Sequence, residues 1–246
     1  MNAKRPLIAV LTGAGISTDS GIPDYRGPQG LWQKDPSAEE LVTIGPYRGD
    51  PEVRRRAWRM RLETGAAAAE PNAGHRALVD LDRSGLPLRV LTQNIDGLHQ
   101  KSGLPGRKVL ELHGNLRETR CLGCGAVGPM AEALARVGAG EPDPDCRACG
   151  GILKPHIVMF GENLDQEVLG QADAITRACD VFVAVGTSLQ VFPVAALPYN
   201  AVKSGAKLII VNGEPTPYDE AAAEVVREPI SLALPRLVRR LVREGA

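Results

Sequence analysis

The stretch Leu7-Ile8-Ala9-Val10-Leu11-Thr12-Gly13-Ala14-Gly15-Ile16-Ser17 runs uncharged to Thr12 and then turns on two glycines. A continuous apolar run, rather than an alternating one, suits a strand buried on both faces. Gly13 and Gly15 let the backbone turn tightly and approach a pyrophosphate, and a helix beginning near Ser17 would aim its N–H groups at that anion. The same glycines suit a plain turn equally well. Four further runs of this kind follow, Leu88–Thr92, Val109–His113, Val181–Gly186 and Leu208–Val211. Helical spacing lies between them: Asn72–Arg83 puts Leu78 and Leu81 on one face, and Asp165–Ala178 and Leu234–Arg243 are similar. Strands alternating with helices predict right-handed crossovers, a mostly parallel sheet and an α/β fold.

Two stretches break this rhythm. Residues 31–73 hold no strand candidate but carry a helical run, Glu52–Thr64, and residues 120–152 hold four cysteines among many Gly and Pro. Both read as insertions. The expected division is a Rossmann-like domain of residues 1–30, 74–119 and 153–246, with 31–73 and 120–152 together forming a smaller domain. Ligands of open α/β sheets bind beyond the carboxyl ends of the strands, so a small domain rooted there walls a cleft.

Composition narrows the function. The 246 residues carry 29 Lys+Arg against 29 Asp+Glu, with 43% hydrophobic and 4% aromatic residues. A formal charge of zero lacks the basic footprint of a nucleic-acid protein, and the apolar share is that of a globular protein. No apolar run reaches the roughly 18 residues needed to span a bilayer. The amino-terminal run leads straight into the glycine turn without a cleavage-type ending, so it is not read as a signal peptide, and the expected location is the cytoplasm. With no long apolar heptad, a monomer is expected.

Cys121-x-x-Cys124 and Cys146-x-x-Cys149 form two pairs, and Cys179 stands apart. Disulfides rarely persist in a cytosol. Two such knuckles close a tetrahedron of thiolates around zinc, and four cysteines leave no open position, so the expected metal is structural Zn2+. Cys179 reads as a small buried hydrophobe.

Polar clusters mark the strand ends. Gln93, Asn94 and Asp96 follow the second strand and can hydrogen-bond an amide or hydroxyls. Glu111-Leu112-His113-Gly114-Asn115 closes the third, where His113 can act as a general base. His75, on the polar shoulder of a helix, and His99, after the loop, are read as structural. Gly186-Thr187-Ser188 suits phosphate and ribose, and the carboxylate in Asn212-Gly213-Glu214 can accept from ribose hydroxyls. Asp24-Tyr25-Arg26 could serve a pyrophosphate and a ring, or be a surface loop with a local ion pair. A dehydrogenase would need helix and strand before an acidic residue near Asp35, but Gly21, Pro23, Gly27, Pro28 and Gly30 leave no room.

GAGIS…SGIPDYRG, TQNIDGLH, ELHGN, the double C-x-x-C, KPHIVMFGE, VGTSLQV and VNGEPT occur in this order between Leu7 and about Pro217. Together they resemble the sirtuins, NAD-dependent protein-lysine deacylases. The resemblance implies NAD as co-substrate, held by Gly13, Ala14, Gly15, Ser17, Asp24, Tyr25, Arg26, Trp32, Gln93, Asn94, Ile95, Asp96, Gly186, Thr187, Ser188, Asn212, Gly213, Glu214 and Ile230. It implies a structural zinc on the four cysteines. It implies an acyl-lysine protein bound as an added strand between Val158, Phe160, Gly161, Glu162 and the loop at Val191. In the implied chemistry the acyl oxygen attacks C1′ of the nicotinamide ribose, nicotinamide leaves, and His113 takes a proton while Asn94 and Asp96 hold the reacting end. Family members that prefer succinyl- or malonyl-lysine carry Tyr-x-x-Arg in the small domain. Here the matching positions are Trp58 and Arg61, which keeps the Arg fork and loses the phenol. Deacetylation is therefore the expected main activity, with acidic-acyl preference through Arg61 or ADP-ribosyl transfer as alternatives. A zinc-ribbon interaction module without catalysis would not need Asn94, Asp96 and His113.

Overall fold

The computed structural model describes residues 5–23, 36–64 and 69–245. The continuous apolar runs become β1 (Ile8–Thr12), β2 (Leu88–Thr92) and β3 (Val109–Glu111). β4 (Gly114–Cys121), β5 (Val127–Pro129) and β6 (Leu153–Ile157) form a separate antiparallel sheet. β7 (Val181–Val185), β8 (Lys207–Val211) and β9 (Glu224–Val226) return to the first sheet. That sheet is parallel throughout, in the order β3-β2-β1-β7-β8-β9.

The helices in chain order are α1 (Ile44–Gly49), α2 (Pro51–Thr64), α3 (Ala73–Arg83), α4 (Leu98–Lys101), α5 (Met130–Gly138), α6 (Gln166–Ala178), α7 (Leu197–Lys203) and α8 (Ile230–Gly245). Successive strand residues point to opposite faces, and here both faces are covered. Ile8 and Val10 join Leu78, Leu81, Leu234 and Leu237 of α3 and α8 in one core. Ala9 and Leu11 face the other way, into a core with Phe182, Ala172 of α6 and Ala201 of α7. This is why the strands read as unbroken apolar runs.

The elements depart from expectation in instructive places. The third and fourth runs stop at Glu111 and Val185, because the residues beyond them bend into the site. Ala14–Ser20 is a 3-10 run rather than an α-helix, closed by Gly21 at φ 82°. β9 is too short to stand out as a run. α8 begins at Ile230, upstream of the expected Leu234, and carries Pro235 inside it. Leu232 and Ala233 both donate their backbone N–H to the Pro229 carbonyl, so the first turn is closed before the proline arrives.

The second sheet, ordered β5-β4-β6, belongs with the two insertions. The expected domain boundaries at 119/120 and 152/153 fall within β4 and at the start of β6, so this sheet takes in residues on both sides of them. Arg54 of α2 pairs with Asp143 at 2.8 Å, and the Tyr47 hydroxyl donates to the Leu153 carbonyl, which ties the first insertion to the second. Trp58 is fully buried against Met130 and Ala133. Its indole holds α2 onto α5 rather than walling a cavity, which differs from its expected substrate contact.

Phe182 fills the centre of one sheet face. A Phe182→Ala substitution should cost about 3–5 kcal/mol of stability, read from urea unfolding.

Candidate functional site

The strand ends of the large sheet lie in register: Thr12 is opposite Thr92 and Val185, and Val185 is opposite Val211. The order of strands reverses at β1/β7, so the turns after these strands line one crevice. There the backbones of the two central turns touch. Gly13 N–H donates to the Val185 carbonyl at 3.0 Å, and Gly15 N–H donates to the Gly186 carbonyl at 2.9 Å. A side chain on Gly13 would meet the Gly186 carbonyl oxygen at 2.7 Å. One on Gly186, at φ +61°, would meet Ile16 N at 2.5 Å.

Next to this contact lies a cavity of about 500 Å³. Its polar wall contains Gly13, Ala14, Gly15, Gln93, Asn94 and His113 from one half of the sheet, and Gly186, Thr187, Ser188, Asn212 and Glu214 from the other. Its apolar wall contains Val158, Phe160, Gly161, Glu162 and Val191. These members of the expected cofactor and substrate sets thus meet in one place. Met159, Leu164, Gln190, Phe192 and Pro215 also line it. Met159, Gln190 and Pro215 belong to the quoted motifs without being singled out, and Leu164 and Phe192 lie just outside them.

Asn94 donates its side-chain N–H to the Gly13 carbonyl and to Ser17 Oγ, both at 3.1 Å, and Ser17 Oγ donates to Asp96 Oδ2 at 2.7 Å. Asp96 Oδ1 accepts from Leu98 N–H, which starts α4. Ser17 and Asp96 therefore form the floor beside the cavity rather than its lining. Ile95 packs into the small-module core, Ile230 packs against the α3/α8 side, and Gly213 is exposed; none of these three lines the cavity. Arg61 is half-buried, donates to the Ala57 carbonyl at 2.7 Å, and like Trp58 lies off the cavity. Asp24, Tyr25, Arg26 and Trp32 fall outside the described residues.

His113 Nδ1 lies 3.0 Å from the Gln93 carbonyl oxygen. That oxygen can only accept, so Nδ1 carries the proton and Nε2 presents a lone pair. Burial holds the imidazole pKa below its ordinary value, opposed by the Gln93 contact. The ring is therefore neutral and basic near pH 7. Gln93 in turn donates to Thr187 Oγ1 at 2.9 Å, linking the base to the far half of the sheet.

Beneath the polar wall is a layer that sequence reading undervalued. Asn72 caps α3 and donates to the Ile16 carbonyl at 2.7 Å and to Ser20 Oγ at 3.0 Å, so it clamps the 3-10 run. His75 lies fully buried rather than on a polar shoulder, completing the capping box with Asn72. His99 reaches Thr12 Oγ1 at 2.9 Å, and the two rings lie 5.1 Å apart. Burial pushes their pKa values down to about 4 and about 3, so both stay neutral. Their structural role matches expectation.

In the small module, Cys121 and Cys149 sulfurs lie 3.5 Å apart, and Cys124 and Cys146 sulfurs 3.7 Å apart. Both separations far exceed a disulfide bond of about 2.05 Å. All four sulfurs lie within 4.8 Å of one another. A tetrahedron of Zn–S bonds near 2.3 Å has edges of about 3.8 Å, so the cluster fits structural zinc. Backbone N–H groups of Gly123 and Cys124 point at Cys121 Sγ and favour its thiolate.

Residues 13–193 match the Sir2 family. The chain belongs to that family. It is 65% identical over 237 residues to NAD-dependent protein deacetylase 2 of Streptomyces coelicolor, covering 96% of this chain and 98% of that one. It is 43% identical to NAD-dependent protein deacylase 2 of Archaeoglobus fulgidus, covering 98% and 93%. Among solved structures, a Sir2 variant holding deacetylated p53 peptide and 3′-O-acetyl ADP ribose superposes with a TM-score of 0.85 at 36% identity, covering 98% of this chain and 94% of that one. A Sir2 complex with p53 peptide and NAD+ gives 0.82 at 36%, with the same coverage.

Two outcomes follow for this Sir2 protein. Gly186→Ala should lower stability by about 2 kcal/mol or more and weaken binding of a non-hydrolysable NAD analogue at least about tenfold, read by thermal melts and calorimetry. Because burial disfavours the imidazolium form, His113 stays basic below the 6.5 of free imidazole. The acid limb of kcat/KM should therefore lie below that value, with activity lost as pH falls through it; a limb above it would remove His113 as the base.

Proposed function

We propose that this Sir2 protein is an NAD-dependent protein-lysine deacetylase that moves the acetyl group of acetyl-lysine to ADP-ribose and releases nicotinamide. The observation that carries this reading is the placement of a neutral, half-buried His113 between a polar dinucleotide wall and a largely apolar wall, within one cavity. NAD, when bound, supplies the glycosidic bond that breaks. The chain's residues do the rest. The glycine turns let the pyrophosphate approach backbone, and Thr187, Ser188, Asn212 and Glu214 offer partners for the adenosine half. Asn94, held by Gly13 and Ser17, and Asp96, held by Ser17 and Leu98, are fixed before substrate arrives, so little ordering remains at the moment of reaction. His113 Nε2 removes a proton from the ribose hydroxyl that attacks the acyl carbon; water then adds at that carbon and its bond to the lysine nitrogen breaks, so that free lysine and O-acetyl-ADP-ribose leave together. The wall at Val158–Glu162 and the loop at Val191 take the acyl-peptide as an added strand.

Acetyl is favoured over longer acidic groups by two observations. Trp58 is committed to the small-module core, and Arg61 lies off the cavity with its guanidinium on the Ala57 carbonyl. Neither is placed as a carboxylate grip. The relatives that carry the deacetylase name support the same choice. Zero formal charge supports protein rather than nucleic-acid partners. Paired thiols support a reducing compartment, read here as the cytoplasm. Among the described residues no helix is long and apolar enough to cross a membrane. A monomer is the proposed working unit, resting on the absence of a long apolar heptad in the sequence.

The test is mass spectrometry on matched acetyl-lysine and succinyl-lysine peptides, with zinc-loaded protein, with and without NAD. NAD-dependent loss of acetyl, with O-acetyl-ADP-ribose formed, is the expected result. Preferred loss of succinyl would instead assign the carboxylate grip to Arg61. Nicotinamide release without change to either peptide would replace deacylation by ADP-ribosyl transfer.

A further inference from the structure

Behind the apolar wall, and absent from the cavity lining, lies a buried cation. Lys154 of β6 is 4% exposed. Its Nζ lies 2.9 Å from Glu162 Oε2 and also donates to the carbonyls of Ile157 and Pro155. An ammonium has three donors, and these three acceptors satisfy it. Burial pushes its pKa down, and Glu162 pulls it back up. Arg61 and Arg120 are the other charges that bear on it, both cationic, so Glu162 is the neutralising group.

The arrangement matters because of what lies between Ile157 and Glu162. Residues 158–161 are the wall that receives the acyl-peptide. Val158 N–H donates to the carbonyl of His113 at 2.9 Å, and Phe160 exchanges backbone hydrogen bonds with Val42 and Ile44. Glu162 Oε2 also accepts from Met159 N–H at 2.8 Å, and Gly161 makes the bend at φ +86°. One buried ammonium thus clips the two ends of the wall together.

We propose that Lys154, acting through Glu162, is a positioning residue for the acyl-peptide: it fixes the curvature of the 158–161 wall and so sets affinity for peptide without touching substrate or NAD. The proposal rests on the deacylase reading of the cavity. Removing the cation leaves the Glu162 carboxylate uncompensated and frees the Ile157 carbonyl, so the wall loses its shape while the glycine turns, 93–96 and His113 Nδ1 keep their own partners.

The experiment compares Lys154→Met, Glu162→Gln and the double variant with the natural protein. It measures peptide KM and kcat, the Kd of an acetyl-lysine peptide by anisotropy, and the Kd of a non-hydrolysable NAD analogue. Glu162→Gln keeps an acceptor for Met159 N–H and loses only the charge. Peptide KM and Kd should rise about tenfold or more in each single variant, with analogue Kd within about twofold, and the double variant should be no worse than the worse single, as expected for two groups acting through one contact. Unchanged peptide affinity, a parallel loss of NAD-analogue affinity, or multiplying losses in the double variant would each overturn it. If Lys154→Met does not fold, Lys154→Gln decides on the same readouts, because it keeps a donor for the Ile157 carbonyl, loses only the charge, and leaves cavity-lining Glu162 in place. If the natural protein turns over no acetyl-peptide, the deacylase reading fails, while peptide Kd still tests the clip.

Discussion

Everything at this site hangs on two backbone turns touching. Where the strand order reverses, the turn after β1 and the turn after β7 meet through Gly13, Gly15 and Gly186, joined by N–H to carbonyl bonds of about 3 Å. No side chain fits between them. Without that contact the two halves of the sheet would end in separate loops. With it, they present one continuous edge of backbone and hydroxyls. The glycines are thus required first by the protein's own packing, and the room they leave for a pyrophosphate follows from it.

From that edge the order propagates by hydrogen bonds rather than by apolar packing. Gly13 holds Asn94, Asn94 and Asp96 hold Ser17, and Asp96 starts α4. Asn72 grips the 3-10 run from outside, and His75 and His99 fill the space beneath as neutral rings. Two imidazoles that stay uncharged to about pH 4 and about pH 3 each use one ring nitrogen, His75 Nδ1 for Asn72 N–H and His99 Nε2 for Thr12 Oγ1, without adding a cation near Asp96.

Much of this was legible in the sequence. The runs at Leu7, Leu88 and Val181 read as strands buried on both faces because both faces are in fact covered. The double C-x-x-C gave a sulfur cluster because its spacing carries the chemistry by itself. Asn94, Asp96 and His113 are conspicuous as polar residues at the ends of apolar runs, and the structure sets Asn94 and His113 in the cavity wall with Asp96 beside it. What escaped was set by tertiary contact. Trp58 was aligned to a pocket, but nothing local shows that α5 would cover it. His75 looked like a surface shoulder, because helical spacing does not show the 3-10 run that Asn72 brings over it. Lys154 lies in a segment whose two charges, Lys154 and Glu162, stand eight residues apart with nothing local to show that they pair and that the lysine is buried.

His113 sits where the chain leaves one sheet for the other. Its backbone follows β3, and the next residue, Gly114, begins β4 at φ +76°, so close to β6 that a side chain there would meet the His156 carbonyl oxygen at 2.1 Å. Only glycine allows that crossing. His113 is thereby held from both sides: Gln93 of the large sheet accepts from its ring, and Val158, just after β6, donates to its carbonyl. At the other end of the same β4–β6 ladder, Cys121 pairs with Leu153 and enters the sulfur cluster. A metal that closes the cluster would fix the Cys121 end of β4, whose other end follows His113 directly. The position of His113 is therefore a property of both sheets together, because the eight-residue strand that leaves it ends in the sulfur cluster.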